Sequence, residues 1–290
     1  MANNENRLIL VTGATGHQGG AAVRHLQQKK FPIRAVTRDP NQPKARSLAG
    51  HGIEVVRADL ENPESLTKAL DGVYGVYSVQ SRGDGIESEI RHGFNLADAA
   101  KRSQISHFVY SSVGSADQNT GVPHFDSKFR IEEHIRSAGM PFSIIRPVFF
   151  MENWLGMKDG IEAGTLASPL RPETRLQMIA VDDIGAFVAL AFEHPGKWQG
   201  RAMDIAGDDL SMTQLAAAFS RISGREVRYQ QVGWDQFEQK AGAEITTMYR
   251  WFQDVGYHVD ISAVRQEYER LTSFERWLQT NWRAAAGAAG

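Results

Sequence analysis

The chain has 290 residues, of which 42% are hydrophobic and 23% are charged. These fractions are close to the averages of soluble globular proteins, so they exclude a wholly disordered, collagen-like or coiled-coil chain. Lysine and arginine total 32 against 34 aspartates and glutamates, which gives a formal net charge of -2. The sequence therefore lacks the excess of positive charge that binding nucleic acid over a whole surface requires.

Cysteine is absent, which excludes disulfides, thiolate metal sites and cysteine nucleophiles. No segment approaches the roughly 20 apolar residues of a membrane helix, and the amino terminus is polar without a signal-type core. We therefore expect a cytoplasmic protein that binds neither a membrane nor, directly, a nucleic acid. The Ala- and Gly-rich segment 283–290 is expected to be a disordered tail.

The first half of the sequence alternates short apolar runs with longer amphipathic segments. Several runs are apolar throughout, which is typical of strands buried on both faces. The predicted strands are 8–12, 33–37, 54–57, 73–79, 107–111 and 142–146. The predicted helices are 18–29, 43–49, 63–70, 87–102 and 126–137. This repetition predicts an α/β fold with a doubly wound parallel sheet over residues 1–150, to which segments around 178–206 return.

The alternation ends after Pro147, and helices dominate the rest of the chain. The predicted helices are 182–193, 211–223, 234–241, 244–254 and 273–282, and Ser211 and Gln214 have the spacing of a capping box. We expect residues 151–282 to form a smaller, mostly helical substrate-side region. The Gly-, Pro- and Arg-rich stretch 160–175 is predicted to be a loop over a cleft.

Three glycines, Gly13, Gly16 and Gly19, lie between the first predicted strand and the first predicted helix. Glycine lets the backbone turn sharply and approach a pyrophosphate, and the free amides at a helix start attract negative charge. A tight turn with close helix packing would need the same residues. The position of the motif in the first strand-turn-helix unit favours a dinucleotide site.

The end of the second predicted strand bears on the choice of dinucleotide. NAD sites place a carboxylate there for the ribose 2′-hydroxyl, whereas NADP sites place a cation for the 2′-phosphate. Arg38 fits the second case, with Lys44 as a further charge, and we expect NADP(H). Asp39 keeps NAD(H) open as an alternative, because its carboxylate would reach a ribose if the strand ended one residue later.

Several motifs together resemble the NmrA-like family, which are atypical short-chain dehydrogenase/reductase proteins. The motifs are Gly13-Ala14-Thr15-Gly16-His17-Gln18-Gly19-Gly20, Val36-Thr37-Arg38, Ala58-Asp59-Leu60, His124-Phe125-Asp126-Ser127-Lys128, and Ile145-Arg146-Pro147 through Glu152-Asn153. The similarity runs from about residue 7 to 282. The resemblance implies an NAD(P)-binding Rossmann fold.

The resemblance also implies a set of cofactor contacts. The pyrophosphate would be lined by Gly13, Thr15, Gly16, His17, Gln18 and Gly19, and the 2′-phosphate would be bound by Arg38. The adenine would be bordered by Asp59 and Leu60, and the nicotinamide ribose by Ser78, Val79 and Gln80. The nicotinamide ring would be approached by Val148 and Phe149, for which core packing is the alternative.

Short-chain reductases commonly pair a tyrosine acid with a lysine four residues later, which also binds ribose. Here the lysine is Lys128, and His124 stands where the tyrosine would be. Histidine can donate a proton near neutral pH, but His124 could equally be a residue before the helix cap. Ser111, followed by Ser112, ends the fifth predicted strand, where such enzymes place a serine that polarises a carbonyl. Making room for the cofactor is the alternative role for these serines.

Two functions follow from the resemblance. The first is an NADPH-dependent oxidoreductase that passes hydride to an aromatic, quinone-like or enone small molecule. Its pocket would be lined by Phe149, Met151 and Trp154, with Tyr249 or Trp251 as a further candidate. The second is a noncatalytic, redox-sensing regulator that binds NADP(H). The sequence contains no metal-ligand spacing, and we expect no metal. A homodimer or a protein partner remains open.

Overall fold

The structure is a computed structural model and describes residues 4–80 and 85–282. The predicted tail at 283–290 lies outside these residues. None of the helices in the described ranges combines the length and apolar character needed to cross a membrane.

The strands of the described chain are β1 Ile9–Val11, β2 Ile33–Thr37, β3 Glu54–Arg57, β4 Gly75–Ser78, β5 His107–Ser111, β6 Phe142–Pro147, β7 Phe149–Phe150, β8 Thr165–Ser168, β9 Arg175–Ile179, β10 Ala202–Ile205, β11 Asp208–Ser211 and β12 Arg228–Gln231. The α-helices are α1 His17–Gln28, α2 Pro43–Gly50, α3 Pro63–Ala69, α4 Ile86–Arg102, α5 Pro123–Ser137, α6 Lys158–Glu162, α7 Val181–Glu193, α8 Pro195–Trp198, α9 Met212–Ser223, α10 Trp234–Ala241, α11 Ala243–Asp254, α12 Ile261–Glu267 and α13 Phe274–Trp277. A 3-10 helix spans Met151–Met157, and a π-helix spans Leu278–Trp282.

The chain divides into two compact units. The first comprises Met1–Asp117, His124–Arg146 and Val181–Asp204. The second comprises Gln118–Pro123, Pro147–Ala180 and Ile205–Gly290. The main part of the second unit starts at Pro147, and the short segment Gln118–Pro123 also belongs to it. That residues 151–282 form a substrate-side region stays a prediction.

The first unit is built on a seven-stranded sheet with the order β10-β6-β5-β4-β1-β2-β3. β1 pairs in parallel with β2 on one side and with β4 on the other. The strand order therefore reverses between β1 and β4, the point at which open α/β sheets bind ligands at the carboxyl ends of their strands. The predicted doubly wound parallel sheet is confirmed, and its predicted elements agree with the structure to within about three residues at each end.

Helices α3, α4 and α5 cover one face of this sheet. Gly93 of α4 lies so close to α5 that a Cβ there would be 2.7 Å from Ile131. Burying this apolar surface is the main favourable contribution to folding, at about 25 cal/mol per Å². The fully buried residues of this layer include Leu10, Leu66, Val76, Leu96, Phe108, Ile131, Ile135 and Ile144.

The second unit contains two small sheets, ordered β11-β9-β7 and β12-β8, in addition to helices. Its core is rich in aromatic rings: Trp154 packs against Phe149 and Phe219 at centroid distances of 5.4 and 6.2 Å. The predicted capping box at the start of α9 is confirmed, since Ser211 accepts from the Gln214 amide and the Gln214 side chain accepts from the Ser211 amide.

The prediction that residues 160–175 form a loop is wrong at three places: residues 160–162 end α6, Thr165–Ser168 form β8, and Arg175 begins β9. β8 pairs in parallel with β12 over the register Thr165↔Arg228 to Ser168↔Gln231. Gly164, with a φ of 94°, turns the chain into the strand, and its carbonyl accepts from the Arg228 amide at 2.9 Å. The partner strand lies more than sixty residues away in the sequence, so local composition could not predict the pairing.

One arginine ties together the ends of the three segments of the first unit. Arg146 donates to both carboxylate oxygens of Glu132 at 2.8 and 2.6 Å and to Asp117 at 2.6 Å, and it lies 3.5 Å from Asp204. Burial lowers the pKa of Arg146, but the hydrogen bonds to Glu132 and Asp117, together with the charges of Glu132 and Asp204, outweigh this effect and raise it. Asp117, Arg146 and Asp204 are the last residues of their segments, so the chain leaves the unit at one ion cluster.

A histidine is buried in the middle of the first unit. His107 on β5 is fully buried, its Nε2 lies 2.8 Å from Ser143 Oγ, and its ring packs edge-on against Phe192. Burial, together with the charge of Arg7, lowers the pKa of His107 to about 4. His107 is therefore neutral in the folded protein at neutral pH.

We predict that His107 makes the protein less stable as the pH falls. An unfolded histidine titrates near a pKa of 6.5, so the unfolded chain binds a proton between that pH and about 4, whereas the folded chain does not. This contribution is fully present above about pH 6.5 and is lost on the way down to about pH 4, by about 3 kcal/mol. Urea unfolding at pH 7 and pH 4.5 measures it.

A His107→Gln variant is the control. It should be less stable than the wild type at pH 7, because a packed ring is lost. Its free energy of unfolding should, however, fall less than that of the wild type between pH 7 and pH 4.5. Parallel pH dependences for the two proteins would contradict the prediction.

Candidate functional site

The glycine loop lies at the carboxyl end of the central strand β1. Gly13 has a φ of 60°, a left-handed conformation that glycine adopts without strain. Its carbonyl accepts from the Gly16 amide at 2.8 Å, which closes the turn. The helix α1 then begins at His17, one residue before its predicted start.

Gly19 brings the first turn of α1 against this loop. A Cβ at Gly19 would lie 2.1 Å from the Gly13 carbonyl oxygen and 2.4 Å from the Gly13 carbonyl carbon, so only glycine fits. The N-cap residue Gly16 provides no side-chain cap. Because the first amides of a helix have no intrahelical acceptor, the loop presents N–H donors and the positive end of the helix dipole. Thr15 and Gln18 are half-buried here, whereas Gly13, Gly16 and His17 are exposed.

Two side-chain links hold the loop to the neighbouring strands. The Thr12 hydroxyl lies 2.9 Å from both the amide and the carbonyl oxygen of Val79, just after β4. The Ser111 hydroxyl, at the end of β5, donates to Gln18 Oε1 at 2.6 Å. The structure thus brings together the predicted residues of the loop and of these two strand ends.

Ser78 and Gln80 lie beside this link. Ser78 is fully buried, and its hydroxyl accepts a hydrogen bond from Gln80 Nε2 at 2.7 Å. Both residues are at the carboxyl edge of the sheet, next to Val79.

The predicted 2′-phosphate contacts lie at the neighbouring strand ends. Arg38 follows β2 directly and is exposed, and Lys44 is exposed in the first turn of α2. Neither side chain forms an ion pair with any residue in the described ranges. The carboxylate of Asp39 accepts from the Asn41 amide at 2.9 Å within a local turn.

The predicted adenine contacts, Asp59 and Leu60, are held in a loop between β3 and α3. The Asp59 amide donates to Ser65 Oγ at 3.0 Å, and its carboxylate accepts from the Glu61 amide at 3.0 Å. The Leu60 carbonyl accepts from Asn95 Nδ2 of α4 at 2.8 Å. Both residues are half-buried.

The predicted catalytic pair lies on α5, which begins at Pro123 and therefore contains His124. Proline is favoured in the first turn of a helix, where its missing N–H has no intrahelical acceptor. His124 and Lys128 are four residues apart and share one helix face. The His124 ring is largely buried and packs edge-on against Phe125 at 4.9 Å.

Lys128 forms an ion pair that the sequence analysis missed. Its Nζ lies 2.8 Å from Glu89 Oε1, and the Glu89 side chain is fully buried whereas that of Lys128 is 13% exposed. Ser127 Oγ donates to the other Glu89 oxygen at 3.1 Å. Helical spacing could have indicated Glu89, because it shares the apolar face of α4 with Gly93, Leu96 and Ala100.

The remaining predicted residues belong to the second unit. Val148 is buried, and its amide donates to the Ile205 carbonyl at 3.3 Å. Phe149, Met151 and Trp154 are also buried, and Trp154 Nε1 donates to Met178 Sδ at 3.2 Å. For Phe149, these contacts match the alternative of core packing. That Met151 and Trp154 line a substrate pocket stays a prediction.

Fold and site together define a doubly wound α/β protein with a glycine-rich turn at its topological switch point. The chain belongs to the NmrA-like family, whose model matches residues 5–278. Among its relatives is an NAD(P)H azoreductase from Xenophilus azovorans, which is 33% identical, over 80% of this chain and 79% of that protein.

Two solved structures share the fold. One is a triphenylmethane reductase from Citrobacter sp. complexed with NADP(H), which has a TM-score of 0.83 and 22% identity, over 94% of this chain and 99% of that chain. The other is NmrA, a negative transcriptional regulator, in complex with NADP. It has a TM-score of 0.83 and 23% identity, over 99% of this chain and 98% of that chain.

We predict that Lys128→Met destabilises the protein, because it leaves the Glu89 carboxylate buried without a cation. Breaking a buried ion pair by removing one partner costs about 3 kcal/mol. The double variant Lys128→Met/Glu89→Gln should recover much of this loss, because a neutral amide costs less to bury. Urea unfolding of both variants measures the difference.

Lys68→Met is the matched control, since it breaks the exposed Lys68–Glu64 pair at a similar distance of 2.9 Å. Solvent screens that pair, so its loss should leave the unfolding curve almost unchanged. A double variant no more stable than Lys128→Met would contradict the prediction.

Proposed function

We propose that the protein is an NADPH-dependent oxidoreductase that transfers hydride to an aromatic, quinone-like or enone small molecule. The observation that carries the proposal is the fit of Gly13 and Gly19 to a pyrophosphate. Their close backbone approach leaves no room for a side chain, and it occurs at the switch point of the sheet.

The charges at the next strand ends support NADPH over NADH. Arg38 offers a planar set of donors that matches a 2′-phosphate, and Lys44 adds a second charge nearby in the sequence. Asp39 has one oxygen engaged by the Asn41 amide, which favours a role in the turn over a role in binding a ribose hydroxyl.

Reduced nicotinamide, when bound, supplies the hydride. The residues of the chain then have to bind and orient the reactants, and orientation alone can contribute much of a rate enhancement. The face of α5 that carries His124 and Lys128 is the candidate source of a proton, and the Glu89 carboxylate keeps the Lys128 ammonium in place at 2.8 Å. Water is the alternative proton donor for acceptors that need no protein acid.

The relatives also support a reductase. The relative from Xenophilus azovorans is an NAD(P)H azoreductase, and the structural neighbour from Citrobacter sp. is a reductase described in connection with triphenylmethane dyes. Such dyes fall within the aromatic class of acceptors that we propose for this chain.

A noncatalytic NADP(H) sensor is the second candidate, and one set of contacts favours it. Ser111 donates to Gln18 and Lys128 is paired with Glu89, so two of the predicted catalytic side chains already have protein partners. The likeness to the NmrA regulator is compatible with this function.

The decisive experiment is anaerobic mixing of the purified protein with NADPH and a panel of quinones, enones, triarylmethane dyes and azo dyes. We expect nicotinamide absorbance to fall in step with reduction of an acceptor and to saturate in both reactants. Tight NADPH binding without turnover on the whole panel would favour the sensor.

Gly19→Ala tests the phosphate site. Its Cβ would overlap the Gly13 carbonyl, so the loop must shift, and we expect the affinity for NADPH to fall by about tenfold or more, which is at least about 1.4 kcal/mol. Gly20→Ala is the control, because its nearest neighbour is Ala14 O at an ordinary 3.5 Å. Equal affinities of the two variants, measured by titration calorimetry, would argue against this site.

Arg38→Ala tests the preference for NADPH. We expect it to weaken NADPH by about 10- to 100-fold, as expected for charge-assisted hydrogen bonds worth about 1.5–3 kcal/mol, and to change NADH little. Lys101→Ala, an exposed residue at the end of α4, controls for the loss of one positive charge. An equal loss for both dinucleotides in Arg38→Ala would show that Arg38 does not bind the 2′-phosphate.

A further inference from the structure

A groove lies between two helical segments of the second unit. One segment is α9, and the other is formed by α13 and the π-helix that follows it. The volume of the groove is about 280 Å³. This is just below the range of about 300–1,000 Å³ in which proteins bind drug-sized molecules, so the groove matches a smaller ligand. The lining residues are Ala218, Arg221, Ile222, Glu275, Leu278 and Gln279.

The two segments are held together by packed aromatic rings. Each segment contributes three lining residues at the spacing i, i+3 and i+4, which places them on one side of a helix. Phe219 of α9 packs against Phe274 and Trp282 at centroid distances of 5.5 and 4.8 Å. A π-helix is rare and occurs frequently at functional sites. The groove is therefore preformed by a packed core and does not depend on a loop.

The floor of the groove is apolar. Leu278 is 1% exposed and Ala218 is 4% exposed, so both lie deep among the lining residues. Ile222 is half-buried and extends the apolar surface towards solvent. A ligand that covers these side chains gains free energy in proportion to the apolar surface that it removes from water.

The rim of the groove carries one positive and one negative charge. Arg221 Nε lies 3.9 Å from Glu275 Oε1, and the two side chains are 61% and 63% exposed. This distance exceeds that of a hydrogen bond. Within the part of the chain that the structure describes, neither charged group makes a further side-chain hydrogen bond or ion pair. A ligand can therefore approach either group more closely than the two approach each other.

The charges of the rim limit what the groove can bind. Because the two charges cancel, the rim favours neither an anion nor a cation alone. In an α-amino acid, the ammonium and carboxylate groups are attached to the same carbon, so they match two opposite charges 3.9 Å apart. The carboxylate would accept from the planar donors of Arg221, and the ammonium would donate to Glu275. An apolar side chain would then lie on Leu278 and Ala218.

We propose that this groove binds a free α-amino acid with a large apolar side chain, such as leucine or phenylalanine. The site goes beyond the proposed function and does not depend on it, because none of its lining residues belongs to the glycine loop, β4, β5 or α5.

The test is a titration of the isotope-labelled protein followed by NMR, with the backbone amides of residues 218–222 and 275–279 as the readout. The ligands are L-phenylalanine, L-leucine and three analogues. Of these, 3-phenylpropionate lacks the ammonium, phenethylamine lacks the carboxylate, and glycine lacks the apolar side chain. We expect both amino acids to bind saturably with a Kd of about 1 mM or lower. Each analogue should bind at least about threefold more weakly, a modest factor because the charges are exposed to solvent.

Two variants of exposed side chains separate the two charges. Arg221→Met should weaken phenylalanine and 3-phenylpropionate by about threefold or more and should not weaken phenethylamine. Glu275→Gln should weaken phenylalanine and phenethylamine to the same extent and should not weaken 3-phenylpropionate. Arg225→Met is the matched control, because it removes the same charge from an exposed arginine just after α9 that does not line the groove. It should keep the affinities of the wild type.

Several results would overturn the proposal. These are the absence of shifts at the groove amides with phenylalanine up to about 10 mM, equal affinities for phenylalanine and glycine, and an equal loss of affinity in Arg221→Met and Arg225→Met. Shifts of the same amides that grow with protein concentration in the absence of ligand would also overturn it, and they would assign the groove to a second copy of the chain.

Discussion

The carboxyl edge of the sheet depends on the contact between the backbones of Gly13 and Gly19. A Cβ on Gly19 would fall 2.1 Å from the Gly13 carbonyl oxygen, so α1 can approach β1 this closely only with glycine there. That approach directs the first turn of α1 along the edge and places Gln18 within hydrogen-bond distance of Ser111. Thr12 joins the same loop to Val79, so the turn and the ends of β4 and β5 form one hydrogen-bonded edge.

The position of α5 is specified by charge as well as by apolar packing. Lys128 and Glu132, four residues apart on this helix, pair with opposite charges from different elements, Glu89 of α4 and Arg146 of β6. The acidic residues of the two pairs, Glu89 and Glu132, are fully buried. A rotation or a one-turn slip of α5 would therefore leave unpaired charges in the interior. The helix that carries the candidate proton donors is thereby fixed in register.

Sequence patterns predicted those parts of the structure that depend on residues close together in the chain. The apolar run at β1 and the spacing of Gly13, Gly16 and Gly19 depend only on neighbours in the chain, and both the sheet and the start of α1 followed from them. β8 was missed because its pairing with β12 comes from a distant segment. In the same way, Ser111 and Ser112 are chemically identical in a sequence, and only the position of Gln18 distinguishes them.

The ion cluster at Arg146 bears on how such a chain can diversify. The segments that leave the first unit after Asp117, Arg146 and Asp204 all start from residues held by one guanidinium. Insertions or exchanges in the segments that follow would leave these starting points, and the sheet behind them, unchanged. A chimera that takes residues 147–180 and 205–282 from a relative would therefore keep the glycine turn while it received different residues at the positions predicted to line a pocket, such as Met151 and Trp154.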